Sequence, residues 1–452
     1  KTSFTAEWDA SAGATKYYID VATSSSFTDA YVSGYHDLDV GTSTSYSITG
    51  LARGTEYYFR VRAFNTSGTS ASSDYASATT IPPDPVVTSA SNITSTGFTA
   101  NWGTSLNATG YYVDVSTTAG FTSGTYTTSS AITSGSTYSA TGLTAQKNYY
   151  YRVRAYNASG SSDDSGIMSV VLAPDAPTAN SATSITASSF TAHWSTSTGA
   201  DGYKIDVCNS DGFTTGLLLD YSSKDVGTAT SLVITGLSSG VTYSYRVKAY
   251  SAGRTSDNSN SVDVLTKPAA PTAVAASLVN ENGFTANWNA VVNTTYSLYV
   301  STNNGFTSYV SGYNPKVGIA TTTESLSGLS PNTNYYYRVL ANNTSGASSY
   351  SGSINVLTAP AIPASVTTSS FTNSSFTITW SASDGATKYF IDVSTKTDAD
   401  FDANIITDYN NKNMGNVTSY TVNELNGGTV YYYRLRACNS VGTNSSNSNI
   451  VS

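Results

Sequence analysis

Residues 51–65 read LARGTEYYFRVRAFN, and the alternation of side chains in this stretch decides the fold. Tyr57, Phe59 and Val61 fall on one side of an extended chain, and the residues between them fall on the other, as in a half-buried β-strand. A leucine, a tyrosine six residues later and an arginine three residues further on recur in four more stretches, which begin at Leu143, Leu237, Leu329 and Leu425. The strand is therefore part of a unit that the chain repeats.

The tryptophans give the length of this unit. They are separated by 94, 92, 94 and 92 residues and stand at Trp8, Trp102, Trp194, Trp288 and Trp380. A nearly constant step of this size indicates tandem copies of one structural unit. Prolines that follow the first four repeated tyrosines by 25 residues mark the boundaries, and the sequence predicts five repeats: 1–81, 82–173, 174–267, 268–359 and 360–452.

Each repeat contains several strand patterns. The run Tyr17-Tyr18-Ile19-Asp20-Val21 alternates in the same way as residues 57–63, and Gly, Ser and Asn clusters separate such runs. No stretch of the sequence keeps a helical period. Units of about 92 residues built from short strands and polar turns are typical of a β-sandwich.

Together these residues resemble the fibronectin type III module, through an early tryptophan, a tyrosine on the next strand and the pattern Leu-x5-Tyr-x-x-Arg-Val-x-Ala-x-Asn-x-x-Gly. The resemblance covers the whole chain and implies an all-β fold of five tandem immunoglobulin-like sandwiches in an extended rod. It implies that the tryptophans are core residues. It implies the same for the tyrosine-corner residues, whose hydroxyls bond nearby backbone: Tyr57, Tyr149, Tyr243, Tyr335 and Tyr431. The Ser/Thr/Asn-rich repeats resemble arrays in bacterial secreted and cell-surface proteins.

Repeat 1 is predicted to lack strand A, the first strand of the module. Seven residues precede Trp8, whereas each later tryptophan follows its linker proline by 17 residues. One explanation is that the sequence is a window of a longer array, or that proteolysis or disorder removed the segment. The other is that a strand from a second molecule completes the sheet edge, which would make the chain a filament subunit.

Two further departures predict local differences between the repeats. Repeat 3 has Ser251 where the motif has asparagine, so its turn between strands F and G is expected to differ. Repeat 2 lacks the Tyr-x4-Val-Gly segment of residues 35–41, and repeat 4 shortens it to residues 313–318. Repeats 2 and 4 are therefore expected to differ at the edge formed by strands C′ and E.

Outward positions on strands C and F predict a cross-strand ion pair. An aspartate on strand C accompanies a second basic residue on strand F in four repeats: Asp20 and Arg62, Asp114 and Arg154, Asp206 and Lys248, Asp392 and Arg436. In repeat 4 both are replaced, by Tyr299 and Leu340. An exposed pair of this kind stabilises a sheet by about 0.2–1 kcal/mol.

Beside the arginines, a stripe of tyrosines faces outward. It consists of Tyr58, Tyr150, Tyr336 and Tyr432, and Ser244 interrupts it in repeat 3. Two functional interpretations are stacking on sugars and packing against a neighbouring subunit. The structural interpretation is that strand-favouring aromatics simply cover the sheet.

The sequence predicts no enzyme activity and no cofactor. The two histidines, His36 and His193, lie in different repeats, and no Ser/His/Asp motif surrounds either. An acidic run offers Asp398, Asp400 and Asp402 as calcium ligands at alternate positions. However, an EF-hand loop needs Gly at its sixth position and Glu at its twelfth, where this run has Ala403 and Tyr409. A solvated loop is the favoured interpretation and a calcium site the alternative.

The bulk composition restricts the partners. Charged residues make up 11% of the chain, the net charge is −8, and no basic patch occurs. Binding to nucleic acid or insertion into a membrane is therefore not expected. Cys208 and Cys438 occupy non-equivalent positions, which predicts free thiols rather than a disulfide. The composition fits an extracellular or cell-surface location.

Two functions follow as hypotheses. The first is a non-catalytic structural or adhesive rod of a bacterial surface appendage or extracellular filament, assembled through self-association. The second is a spacer or carbohydrate-binding region of a larger secreted enzyme, in contact with neighbouring domains of the parent chain or with glycans. The linkers carry two prolines each, as in Ala173-Pro174-Asp175-Ala176-Pro177, and such linkers are semi-rigid.

Overall fold

The computed structural model describes residues 1–122, 125–127, 132–133, 135–209 and 213–452. The described chain is nearly all β, because short runs of β-branched and aromatic residues alternate with Gly, Ser and Asn turns. Four single-turn 3₁₀ helices lie within the described residues, at Leu219–Tyr221, Asp398–Asp400, Asp402–Asn404 and Thr407–Tyr409. All strand pairs are antiparallel, as expected for short hairpin and Greek-key connections.

Repeats 1 and 2 contribute the first fifteen strands. Repeat 1 contains β1 (Phe4–Glu7), β2 (Lys16–Ala22), β3 (Leu38–Asp39), β4 (Ser45–Ile48), β5 (Glu56–Asn65), β6 (Gly68–Thr69) and β7 (Ala76–Thr79). Repeat 2 contains β8 (Val87–Ser91), β9 (Phe98–Trp102), β10 (Gly110–Ser116), β11 (Thr125–Thr127), β12 (Thr137–Ala140), β13 (Asn148–Asn157), β14 (Gly160–Ser161) and β15 (Met168–Val171).

Repeats 3 to 5 contribute the remaining strands. Repeat 3 contains β16 (Ala179–Thr183), β17 (Phe190–Trp194), β18 (Gly202–Cys208), β19 (Lys224–Asp225), β20 (Ser231–Ile234), β21 (Thr242–Ser251), β22 (Arg254–Thr255) and β23 (Val262–Leu265). Repeat 4 contains β24 (Ala273–Ser277), β25 (Phe284–Trp288), β26 (Thr295–Ser301), β27 (Lys316–Ile319), β28 (Thr323–Leu326), β29 (Asn334–Asn343), β30 (Gly346–Ala347) and β31 (Ile354–Leu357). Repeat 5 contains β32 (Ala364–Ser369), β33 (Phe376–Ser381), β34 (Lys388–Ser394), β35 (Lys412–Gly415), β36 (Ser419–Val422) and β37 (Tyr432–Cys438).

Each repeat folds as two sheets that enclose one core. In repeat 3 the smaller sheet has the order β16-β17-β20, and the larger has the order β19-β18-β21-β22 with β23 also paired to β21. Repeats 2 and 4 follow the same plan. We call the long central strands of the larger sheets the C strands (β2, β10, β18, β26 and β34) and the F strands (β5, β13, β21, β29 and β37). The chain is thus a tandem series of fibronectin type III-like sandwiches.

The smaller sheet of repeat 1 has two strands, β1 and β4. Trp8 is consequently partly exposed, whereas in repeat 2 the added strand β8 pairs with Trp102 and buries it. Trp8 nevertheless packs against the core of repeat 1, as predicted for the tryptophans. Tyr431 is likewise partly buried and packs against the core of repeat 5.

The tyrosine corner is present in all five repeats. The hydroxyl of Tyr57 accepts a hydrogen bond from the backbone N–H of Ala52, five residues upstream, at 2.9 Å. The equivalent oxygens in the other repeats accept from Thr144, Ser238, Ser330 and Asn426 at 2.8–2.9 Å. Each corner pairs a backbone donor with the tyrosine hydroxyl, which fixes the loop that enters the F strand.

The edges of the larger sheets differ between repeats. Strand β27 of repeat 4 has four residues, whereas the equivalent β3 and β19 have two. Repeat 2 has β11 at this edge, in a segment that includes residues outside the described ranges. Strand β35 of repeat 5, whose loop is not shortened, also has four residues, so the length of this edge strand does not follow the length of the loop.

Candidate functional site: the outer face of the C and F strands

The C and F strands lie side by side in every repeat, so their outward residues form one surface. In repeat 1 the register pairs Asp20 with Arg60, and Tyr18 with Arg62. The equivalent register occurs in the other four repeats. The first arginine of the F strand therefore lies directly opposite the C-strand aspartate, and the second basic residue lies diagonal to it.

In repeat 1 the predicted contact between Asp20 and the arginines is present. Arg60 Nε donates to one carboxylate oxygen at 3.1 Å, and Arg62 Nη2 donates to the other at 3.3 Å. The backbone N–H of Asp37 also donates to this carboxylate, at 2.8 Å. The expectation of an exposed pair is wrong, because Asp20 is only 1% exposed. The loop that follows the C strand folds over the outer face and covers the carboxylate.

Repeats 2 and 5 build the same buried site, and repeat 3 builds it with a single arginine, because no ion pair in the described part of the chain joins Asp206 to its predicted partner Lys248. Asp114 accepts from Arg152 Nε at 3.0 Å, and Asp206 accepts from Arg246 Nε at 3.1 Å. Asp392 accepts from Arg434 Nε at 3.0 Å and from Arg436 Nη1 at 2.8 Å.

A backbone N–H caps the carboxylate in repeats 3 and 5 as it does in repeat 1. The donors are Ser223 and Asn411, each at 2.7 Å. Each of these carboxylates already accepts hydrogen bonds from one or two cations and from a backbone amide, so it has little capacity left for a ligand.

A phenylalanine covers the first arginine of each pair. The guanidinium carbon lies over the phenylalanine ring at 4.1–4.6 Å from its centre in all five repeats, and the rings are Phe27, Phe121, Phe213, Phe306 and Phe401. Such stacking adds a cation–π attraction and removes water from the ion pair. None of these phenylalanines was predicted as a site residue. Their signal is a phenylalanine seven residues after the aspartate position in repeats 1 to 4, and nine after it in repeat 5.

Repeat 4 replaces the carboxylate by aromatic rings. Tyr299 occupies the aspartate position, and the guanidinium of Arg338 lies 5.6 Å from its ring centre. The same guanidinium lies 4.1 Å from Phe306 and 3.6 Å from Tyr350. Burial, together with a hydrogen bond to Tyr350, raises the pKa of Tyr299. Leu340, at the second basic position, is buried.

The tyrosine stripe is partly buried rather than open. Tyr58, Tyr150, Tyr336 and Tyr432 all have intermediate exposure. Tyr58 donates to Glu56 at 3.0 Å and meets the ring of Tyr75 edge-on, with 5.4 Å between ring centres. In repeat 3, Ser244 at the stripe position donates to Asp263 at 2.6 Å.

The calcium alternative is not supported by the geometry. Asp398 and Asp400 lie in one 3₁₀ helix, while Asp402 accepts a hydrogen bond from Arg434 at 2.6 Å. Within the described ranges, no group of three or more His, Cys, Asp or Glu residues is arranged to hold a metal ion. One carboxylate oxygen of Asp402 is thus engaged by Arg434, while the side chain itself is largely exposed.

The remaining reactive side chains are scattered. His193 contacts Thr183 at 2.8 Å in repeat 3, and His36 stacks on Tyr31 in repeat 1. Cys208 and Cys438 are buried and are not joined by a disulfide, and burial raises the pKa of the Cys438 thiol. Among the residues that the structure describes, no helix is long and apolar enough to span a membrane.

Comparison with known proteins identifies the repeats. A family model described as fibronectin type III domain matches residues 1–79, 82–171, 175–264 and 361–452. The matched segments do not include repeat 4, although its sheets follow the common plan.

Three curated relatives are similar to parts of the chain. Exoglucanase B of Cellulomonas fimi is 32% identical over 277 residues, which are 55% of this chain and 24% of the relative. Chitinase A1 of Niallia circulans is 31% identical over 204 residues, 41% of this chain and 26% of the relative. Receptor-type tyrosine-protein phosphatase eta of Gallus gallus is 26% identical over 413 residues, 87% of this chain and 27% of the relative.

The chain therefore spans about a quarter of the length of each of these relatives. Among solved structures, that of the chicken CNTN1 FN1-FN3 domains aligns with 62% of this chain and 98% of its own, at 18% identity and a TM-score of 0.24. The family model alone covers most of the sequence. This chain belongs to the fibronectin type III domain family.

Proposed function

We propose that this chain is a non-catalytic spacer segment of a longer extracellular enzyme. The observation that carries the proposal is its similarity to an exoglucanase and a chitinase, each about four times as long as the part that aligns. A segment that is shared by two enzymes with different names, and that forms a minor part of each, is expected to have a role that both enzymes need. Separation of other domains is such a role.

The outer face of the C and F strands supports a spacer more than a binding site. Its central carboxylates are buried and already accept hydrogen bonds from arginine, as at Asp20 and Asp392. Sugar-binding surfaces need exposed ring faces. Here Tyr58 and Tyr432 are only partly exposed. The polar groups of this surface hold each repeat together.

The alternative roles have less support. A carbohydrate-binding region would require the tyrosine stripe to accept a glycan. A filament subunit would require a partner strand beside β1. The names of the two bacterial relatives point to enzymes rather than to filaments. We accordingly place the chain outside the cell, next to further domains of a parent protein.

Co-sedimentation with insoluble cellulose and chitin, together with small-angle X-ray scattering, tests the proposal. The full chain should stay in the supernatant and scatter as an extended monomer on the order of 150 Å long, given the rise per residue of β-strands. Retention that is lost when the four stripe tyrosines are changed to alanine would favour carbohydrate binding. Scattering from growing fibres would favour the filament, and either result would overturn the spacer proposal.

A further inference from the structure

Three of the four junctions between consecutive repeats share one hydrogen bond. At the junction of repeats 3 and 4, the side-chain amide of Asn343 donates to the carbonyl of Thr266 at 2.9 Å. Asn157 makes the equivalent bond to Thr80 at 2.9 Å between repeats 1 and 2. Asn439 makes it to Thr358 at 3.2 Å between repeats 4 and 5. In each case the turn after an F strand bonds the end of the preceding repeat.

The asparagine side chain is held in position by its own turn. Its Oδ1 accepts a hydrogen bond from the backbone N–H two residues later, at 3.0 Å for Asn157, 2.9 Å for Asn343 and 3.2 Å for Asn439. This Asx turn orients the amide, so that Nδ2 faces the neighbouring repeat. Little rotamer entropy is therefore lost when the bond between repeats forms.

The accepting carbonyl is also fixed. The buried Thr266 hydroxyl donates to the carbonyl of Ser238 at 2.8 Å and accepts from the N–H of Val241 at 3.0 Å. The hydroxyls of Thr80 and Thr358 make the same pair of bonds in their own repeats. Each of these junctions therefore joins a preorganised donor to a preorganised acceptor.

The junction between repeats 2 and 3 has lost both halves of this arrangement. Leu172 stands at the threonine position, and Ser251 stands at the asparagine position. The turn after Ser251 has changed as the sequence predicted, with positive φ at Ala252 (48°) and Gly253 (76°). Among the described residues, no hydrogen bond joins repeat 2 to repeat 3.

Packing at this junction includes an unpaired polar group. The Gln146 side chain of repeat 2 lies where a side chain at Gly199 of repeat 3 would be. Its Nε2 is buried and has no hydrogen-bond partner among the described residues. A buried amide without a partner destabilises the packed arrangement relative to a more open one, in which water can reach it.

The other junctions carry additional polar contacts. Arg53 of repeat 1 binds Asp84 at the start of repeat 2 through two hydrogen bonds, at 2.9 and 2.7 Å, and this pairing lowers the pKa of Asp84. Glu281 of repeat 4 accepts from the N–H of Ser446 of repeat 5 at 2.9 Å. The contrast with the second junction therefore does not depend on the asparagine bond alone.

We propose that the asparagine of the F–G turn is a latch between repeats, and that the latch-free junction of repeats 2 and 3 is the point at which the array bends. Interfaces between domains permit relative motion unless specific contacts oppose it. The array would then consist of two stiffer arms, repeats 1–2 and repeats 3–5. This inference does not depend on what the chain joins in its parent protein.

Pulsed electron–electron double resonance, which measures distances between two spin labels, tests the latch in the full chain. Thr137, Ser231 and Thr323 are exposed first residues of equivalent strands, so cysteines at these positions report matched distances across successive junctions. Spin labels would be placed in a background that carries Cys208→Ala and Cys438→Ala. The 137/231 distance distribution should be about twice as wide as the 231/323 distribution, since only the second pair spans a latched junction.

Two variants make the test reciprocal. Asn343→Ser, which copies the residue native at 251, should widen the 231/323 distribution. Leu172→Thr with Ser251→Asn, Gly253→Ser and Arg254→Gly transplants the latched sequence and should narrow the 137/231 distribution. Equal widths across the two junctions in the unmodified protein would overturn the proposal. So would an Asn343→Ser variant with native circular dichroism and an unchanged 231/323 width.

Discussion

Repeats 4 and 5 have the same sheet plan and the same register between C and F strands, yet they hold the first F-strand arginine differently. In repeat 5, Arg434 is bound to the buried carboxylate of Asp392. In repeat 4, Arg338 is enclosed by Phe306, Tyr299 and Tyr350. The arginine and the phenylalanine above it are constant, while the group below is a carboxylate in repeat 5 and an aromatic ring in repeat 4. The outer face therefore serves to hold the covering loop against the sheet.

The difference also explains why the aspartate and the second basic residue disappear together. A buried carboxylate requires its cations, because an uncompensated buried charge is strongly destabilising. Once Tyr299 replaces the aspartate, a second arginine would be left without a carboxylate, and Leu340 can be buried instead. A position in the segment after the F strand changes in parallel. Asn447 accepts from Arg436 in repeat 5, whereas Tyr350 stacks on Arg338 in repeat 4.

The largest expected effect comes from removing both cations of repeat 5. Arg434→Met with Arg436→Leu leaves the carboxylate of Asp392 buried and unpaired, and should lower the local free energy of opening by about 3–5 kcal/mol. Hydrogen exchange of β34 and β37, followed by mass spectrometry on the full chain, measures the change. Repeat 3 in the same sample is the internal control. A loss below about 1 kcal/mol, the value of an exposed pair, would show that the site is not effectively buried.

The next effect tests whether the two arrangements are interchangeable. Asp392→Tyr alone places a ring beside two arginines and should destabilise repeat 5. Adding Arg436→Leu and Asn447→Tyr copies the set of repeat 4 and should recover part of this loss, with a coupling of about 1–3 kcal/mol. The same exchange experiment measures it. If the stability changes of the three substitutions were strictly additive, the two arrangements would not be coupled sets of residues, and the comparison between repeats 4 and 5 would be wrong.

A smaller effect is expected in repeat 4 itself. Arg338→Met removes the cation from its aromatic surroundings but leaves no buried charge behind. The loss should be about 0.5–2 kcal/mol, the range of cation–π interactions. Exchange of β26 and β29 measures it, and Arg434→Met in repeat 5 is the matched control. A greater loss in repeat 4 than in repeat 5 would contradict the account.

Much of this fold could be predicted from the sequence. The step of six residues from Leu51 to Tyr57 and the step of three from Tyr57 to Arg60 indicate the tyrosine corner and its F strand, and the recurring tryptophans indicate the length of each repeat. The contact between Asp20 and its arginines was also predictable from strand register. Its burial was not, because the loop that carries Phe27 returns over the sheet through contacts that no strand pattern encodes. Likewise, Ser251 predicted an altered turn. The hydrogen bond from Asn343 to the preceding repeat could not be predicted from the sequence, because it depends on how two repeats are placed next to each other.

The smallest expected effect is a dependence on alkaline pH in repeat 4. The pKa of Tyr299 is raised on folding, mainly by burial. A tyrosine of this kind contributes stability below its unfolded pKa of about 10, and the contribution is lost as pH rises through the folded pKa. Repeat 4 should therefore lose stability above about pH 10 relative to the Tyr299→Phe variant. Limited proteolysis at pH 8.5 and 10.5, with cuts assigned to residues 268–359, tests the difference, and equal cutting of both proteins would count against it.

Because the outer faces are occupied by their own arginines, rings and loops, we expect them to bind no sugar. Hydrogen exchange of the full chain with and without soluble cello- and chito-oligosaccharides measures such binding. Exchange should be unchanged in the four F-strand peptides that carry Tyr58, Tyr150, Tyr336 and Tyr432. Protection of these peptides by either sugar, removed by Tyr→Ala at the same position, would contradict this expectation.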